Sequence, residues 1–169
     1  MANERKTKIE LLKRKSRRKN LIKELTFFNL TDDSFLDIED NDLFCKKVFL
    51  LLDTKNNKIE VPGDGYKDNN QKSMQLLYET IENIEEAPKK GRLLIFREYE
   101  IEAVLINVNE VFSHLENVLE LTKFSTGYGD FILVGEELDF GLCIERTEYY
   151  YQFSLWGLSN NEIYENLND

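Results

Sequence analysis

Histidine is nearly missing from this sequence: His114 is the one imidazole in 169 residues, and no serine, cysteine or aspartate motif accompanies it. General acid–base chemistry near neutral pH therefore has a single histidine candidate. That candidate flanks an apolar helical stripe, which reads as a boundary residue without a chemical role. Cysteine occurs twice, as Cys45 in LFCKKVF and Cys143 in FGLCIER. With no CxxC spacing and no partner histidines, neither a disulfide framework nor a metal site is implied, and both read as buried free thiols. Long apolar runs are lacking too. No stretch approaches the roughly 20 uncharged apolar residues that span a bilayer, and the opening MANERKTKIE has no signal-peptide core, so no membrane partner and a cytoplasmic location are expected.

What is present suits one ordinary domain. Hydrophobic residues make up 41% of the chain, and a chain of this length buries roughly 68–70% of its unfolded surface. The net charge of −10 hides a split. Residues 1–23 hold ten Lys/Arg against two Asp/Glu, a balance of +8, whereas the remaining 146 residues hold twelve against thirty, a balance of −18. The sharpest feature is LKRKSRRKN, with six basic side chains in the seven positions Lys13–Lys19. An acidic body repels phosphate backbones and a basic tail attracts them, so the asymmetry itself bears on partners.

Periodicity gives the elements. Glu4 to Leu25 has no Gly or Pro and places Ile9, Leu12, Ile22 and Leu25 at helix-compatible spacing, predicting a long basic helix with an exposed middle. Asn29 to Asp42 is a turn-rich acidic segment in which Thr31 or Ser34 caps a short helical turn. Val48–Leu52 and Ile59–Val61, flanking the turn Asp53–Lys58, predict a β-hairpin, and Pro62–Gln71 a loop. Ser73 caps a helix running to Glu86, with Leu76, Leu77, Ile81 and Ile84 on one face, stopped by Pro88 and Gly91. Leu93–Phe96 and Ile101–Val108 read as strands, and Asn109–Leu121 as an amphipathic helix through Val111, Phe112, Leu115, Val118 and Leu119. After the break Lys123–Gly129, three short apolar runs (131–134, 140–145 and 149–156) predict an antiparallel meander. The sum is an α+β fold: a mostly antiparallel sheet with helices packed on one face, plus a basic N-terminal helical extension (1–24) on a single acidic domain (25–169).

Reactive constellations are weak. Gly63-Asp64-Gly65 lacks the lysine and the following Ser/Thr of a phosphate loop. Asp37, Glu39 and Asn41 alternate as in a calcium loop, but Asp42 stands where glycine is needed. Glu136, Glu137 and Asp139 are close enough for paired-carboxylate chemistry, yet fall in a hairpin turn where solvated acids are ordinary. No cofactor, no metal and no enzymatic activity are expected. Interaction surfaces remain. Asp32, Asp33, Asp37, Glu39, Asp40 and Asp42 place six acids in eleven positions around Phe35, Leu36 and Ile38, a pattern suited to a partner with a basic cleft, the alternative being a solvated loop. Strand alternation sets Tyr149, Tyr151 and Phe153 on one face and Tyr150 with Gln152 on the other, so one set is core and the other faces outward; Tyr150 is then a candidate interface anchor alongside Glu136, Glu137 and Asp139, the alternative being a core with an ordinary wet face. The basic run offers a different reading, nucleic-acid binding through Lys13, Arg14, Lys15, Arg17, Arg18 and Lys19. It could also meet an acidic patch on a partner, or dock onto the chain's own Asp32–Asp42 segment.

The stretch GDFILVGEELDFGLCIERTEYYYQFSLWG, preceded by RLLIFRE and EVFSHLENVLEL, resembles the C-terminal part of small bacterial immunity proteins, in which a helix leads into three strands joined by turns. The resemblance covers residues 91–157. It implies a non-catalytic protein whose partner is a cognate protein toxin or another basic protein. Many such toxins attack nucleic acid through a basic cleft, which an acidic surface complements.

Overall fold

A computed structural model describes residues 2–158; residue 1 and the end of the 25–169 range lie outside the described residues. The elements are α1 (Ala2–Glu24), a 3₁₀ turn (Asp32–Ser34), α2 (Ile38–Thr54), β1 (Ile59–Val61), α3 (Tyr66–Glu82), β2 (Lys90–Phe96), β3 (Ile101–Asn107), α4 (Val108–Ser113), α5 (Leu115–Leu121), β4 (Phe131–Val134), β5 (Gly141–Arg146) and β6 (Tyr151–Trp156). The six strands form one antiparallel sheet in the order β1-β6-β5-β4-β2-β3. The α+β class and the C-terminal meander β4-β5-β6 are as the sequence predicts.

Strand alternation divides the core in two. Leu93, Ile95, Val104, Ile106, Phe131, Leu133, Leu142, Ile144, Tyr151 and Phe153 pack with Leu21 and Leu25 of α1, Leu77 of α3, and α4 and α5. Their neighbours Leu94, Ala103, Ile132, Val134 and Cys143 point the other way and pack with Cys45, Val48 and Leu52 of α2. Helices therefore cover both faces rather than one. A row of apolar side chains on the second face needs a cover, and α2 supplies it.

That requirement explains why the predicted hairpin at 48–61 does not form. VFLLL is compatible with either period. Within Ile38–Thr54, Cys45, Val48 and Leu52 recur at helical spacing, and no Gly or Pro interrupts them. Ile59–Val61 pairs instead with β6, Ile59 opposite Phe153 and Val61 opposite Tyr151.

Of the loop predicted over Pro62–Gln71, residues 62–65 are irregular as expected, but the chain is helical from Tyr66 onward. Gly65, at φ +103°, is the residue before the first turn of α3, a conformation that side chains rarely adopt. The Asp68 carboxylate accepts the Asp64 N–H at 2.8 Å. Ser73 lies buried inside the helix rather than at its start. The polar residues that concealed this helix are turned inward: Asn69 Nδ2 donates to the Tyr149 carbonyl (3.1 Å), and Asn70 Nδ2 to the Phe124 carbonyl (2.8 Å) and the Tyr151 hydroxyl (3.1 Å). The helix predicted over 109–121 is broken at His114 (φ −113°, ψ 28°), whose half-buried ring lies 5.5 Å from Phe27. Strand β6 starts only at Tyr151, so Tyr149 is an exposed turn residue and not a face-mate of the buried Tyr151 and Phe153.

A docked basic helix beside an acidic edge

Helical periodicity separates the residues of α1 into an inner and an outer side. Arg14, Arg18, Leu21 and Leu25 follow one another at three- and four-residue steps along the side facing the sheet, with Arg17 beside them on its flank. Leu21 and Leu25 enter the core, and the arginines above them meet carboxylates from β3 and its preceding turn. Arg14, 9% exposed, donates Nε to Glu102 Oε1 (3.1 Å) and both terminal nitrogens to Asp42 (3.1 and 2.8 Å). Arg18 donates Nε to the same Glu102 oxygen (3.0 Å), sets Nη2 2.9 Å from Oε2, gives Nη1 to the Leu36 carbonyl (2.7 Å), and lies 5.2 Å over the Phe35 ring. Arg17 makes a forked pair with Glu100, 2.6 and 2.9 Å. Glu102 is 1% exposed, a carboxylate held in the interior by two guanidinium groups.

The electrostatics follow from these contacts. Burial alone would lower the Arg14 pKa, but its hydrogen bonds to Asp42 and Glu102 outweigh that and hold it firmly charged. In return, the bond from Arg14 depresses the Asp42 carboxyl below its ordinary range. The bond to Glu100 raises the Arg17 pKa.

The acidic segment closes the outer edge of the sheet. Asn41, fully buried, accepts the Ala103 N–H on Oδ1 (2.9 Å) and donates Nδ2 to the Ile101 carbonyl (2.8 Å), standing in for a neighbouring strand along edge strand β3. In the 3₁₀ turn, Ser34 Oγ accepts the Thr31 N–H at 3.1 Å. Phe35, Leu36 and Ile38 are half-buried, so the apolar anchors face inward while Asp32, Asp33, Asp37, Glu39 and Asp40 face solvent. Of the predicted partner-binding set, Asp42 belongs to the arginine cluster. Glu136 accepts from Arg92 Nη2 (3.0 Å), and that guanidinium stands 5.8 Å over the Phe44 ring of α2, so both acidic stretches border α2. Glu137 and Asp139 are exposed in the β4–β5 turn. Tyr150 is half-buried and its carbonyl closes the β5–β6 turn with Thr147 (2.8 Å).

The six bases proposed for nucleic acid are thus divided. Arg14, Arg17 and Arg18 are taken up inside, and Lys13 pairs with Glu10 (3.2 Å). Lys15 and Lys19 are exposed and have no ion pair among the described residues. The residues that sequence reasoning missed are Glu100 and Glu102. Their signal was available in REYEIEAVLI: a glutamate flanked by Ile101 and Ala103 in an otherwise apolar strand needs a cation.

Elsewhere the polar groups are structural. Both thiols are buried, and burial pushes Cys45 up to about 11 and Cys143 higher still. Tyr66, Tyr151 and Arg146 converge on the Gly127 loop: Tyr151 donates to the Tyr66 hydroxyl (3.1 Å), while Tyr66 and Arg146 both donate to the Gly127 carbonyl. Among the described residues, no group of three or more His, Cys, Asp or Glu is arranged to hold a metal ion, and no helix is long and apolar enough to cross a membrane.

The family model described as YxiF protein matches residues 21–156. A curated relative, the uncharacterized protein YxiF of Bacillus subtilis (strain 168), is 37% identical over 68 residues, which cover 38% of this chain and 44% of the relative, less than half its length. No solved structure matches. The family match takes in the whole sheet and α2 to α5, and begins at Leu21, just beyond the basic run. The chain belongs to the YxiF protein family.

Proposed function

We propose that this protein is a non-catalytic, acidic binding protein of the immunity type, which neutralises a toxin or another basic nuclease by occupying its basic cleft. The observation that carries the reading is the state of the acidic edge. Asp32, Asp33, Asp37, Glu39 and Asp40 stay exposed with no ion pair among the described residues, although a strongly basic helix lies alongside. The acidic excess is therefore left outward for a partner. Leu43, 51% exposed and one helical turn beyond Glu39 and Asp40, offers an apolar contact inside that acidic border. The resemblance of residues 91–157 to bacterial immunity proteins supports the same class of partner.

The test is co-expression with the product of the neighbouring gene in its native genome. The wild-type protein restores growth of cells carrying that toxin. The triple variant D37K/E39K/D40K, folded by circular dichroism, loses protection and binds the purified toxin at least about tenfold more weakly, a loss of roughly 1.4 kcal/mol concentrated in the association rate. A harmless neighbour, or full protection by the triple variant, would overturn the reading.

A further inference from the structure

We propose that the solvent side of α1 is a binding surface for the phosphate backbone of duplex nucleic acid. Arg5, Lys8, Lys15, Lys19 and Lys23 succeed one another with Leu12 at three- and four-residue steps, so they lie along one stripe of the helix. At 1.5 Å per residue the stripe is about 27 Å long. It lies on the side opposite Arg14, Arg18, Leu21 and Leu25, which fix the helix to the body, and all five bases are exposed.

Two features make this more than a solvated face. The arginines that could neutralise the protein's own carboxylates already do so on the inner side, which leaves the outer bases available. Every residue from Glu4 to Lys13 is exposed, so this half of the stripe stands clear of the acidic body. The acids that bear on the stripe are Glu4, Glu10 and Asp32. Glu10 is engaged by Lys13, and Asp32 borders the same cleft as Lys15 and Lys19 without bonding to either. The chemistry of the row then selects the partner. Evenly spaced point charges suit a regular polyanion. No aromatic side chain interrupts the run to stack on bases, which favours a duplex over a single strand. Its exposed apolar residues Ile9, Leu11 and Leu12 are too few, and too scattered around the helix, to bury it in a lipid interface.

The inference goes beyond the inhibitor reading and does not depend on it. The experiment uses the full chain and a 5′-labelled random 25-bp duplex, with binding followed by fluorescence anisotropy across salt concentrations. Expected is non-specific binding, with a dissociation constant on the order of 10⁻⁶ to 10⁻⁴ M and a log–log salt slope of about −4 to −5 for five neutralised phosphates. The variant R5E/K8E/K15E/K19E should lose at least tenfold in affinity while keeping its melting temperature, because none of these side chains holds the fold. R17A, which touches only the inner side, should bind the duplex as the wild type does. Absence of duplex binding, a slope near zero, or wild-type affinity in the quadruple variant would overturn the proposal. So would equally tight binding of polyglutamate, since the surface would then be one for acidic protein. Protection against a toxin is read in separate cells, so either proposal can fail alone.

Discussion

Two arginines share one buried carboxylate: Arg14 and Arg18 both reach Glu102, and Asp42 completes the cluster from α2. Breaking a buried pair leaves uncompensated charge in the interior, which costs far more than the pair contributes relative to apolar replacements. Glu102→Ala should lower stability by about 3 kcal/mol, seen as a lower urea midpoint with unchanged slope, whereas Glu100→Ala, whose partner Arg17 is a third exposed, should cost about 1 kcal/mol or less. A similar loss in both variants would mean that Glu102 is no more central than the Arg17–Glu100 pair, whose carboxylate is buried but whose guanidinium reaches solvent. The pH response has a defined sign. The fold depresses the Asp42 carboxyl below its ordinary value of 3.8, so its stabilisation is complete at neutral pH and is lost as pH falls through the lowered value. Asp130 works in the opposite sense, because burial raises its carboxyl and the fold gains when it protonates. A wild-type profile mixes the two. The stability gap between wild type and Asp42→Asn isolates the first, and it should be widest near pH 7 and close progressively in acid, as measured by denaturation from pH 7 to pH 3.

At the scale of elements, α1 is two objects in one helix. Residues 4–13 are exposed throughout, and from Arg14 onward the helix is fastened by three arginines and then by Leu21 and Leu25 in the core. Deleting residues 1–13 should therefore move the denaturation midpoint little, by about 0.5 kcal/mol or less. Deleting residues 1–25 should cost several kcal/mol, since each buried leucine alone is worth roughly 2–5 kcal/mol and Glu102 is left unpaired. Equal midpoints for the two truncations would show that α1 is an appendage along its whole length. The meander β4-β5-β6 was readable because its strands are short, β-rich and separated by turn residues. Helix α2 was misread because VFLLL satisfies both periods, and only the bare second face of the sheet decides between them. Helix α3 was shortened because Asn69, Asn70 and Ser73 look like loop residues, although in the fold the two asparagines hydrogen-bond distant backbone.

For the whole molecule, the charge split of +8 against −18 was legible by counting, and the candidate surfaces were legible as segments. The direction in which each segment faces was not. The basic run alone fixes that one side of a helix is arginine-rich and the opposite side lysine-rich, because that follows from 3.6 residues per turn. Which side turns inward depends on carboxylates 83 and 88 positions away, brought beside it only when β3 takes its place at the sheet edge. The amino-acid order by itself thus determined the acidic body, the C-terminal strands, the buried thiols and the basic helix. Tertiary structure decided that the arginines are spent holding the helix down, that Asn41 seals β3, and that five acids and a row of lysines are left facing outward. The reason is physical: helix and strand periods are local, whereas the neutralisation of a charge depends on what the fold sets a few ångströms away.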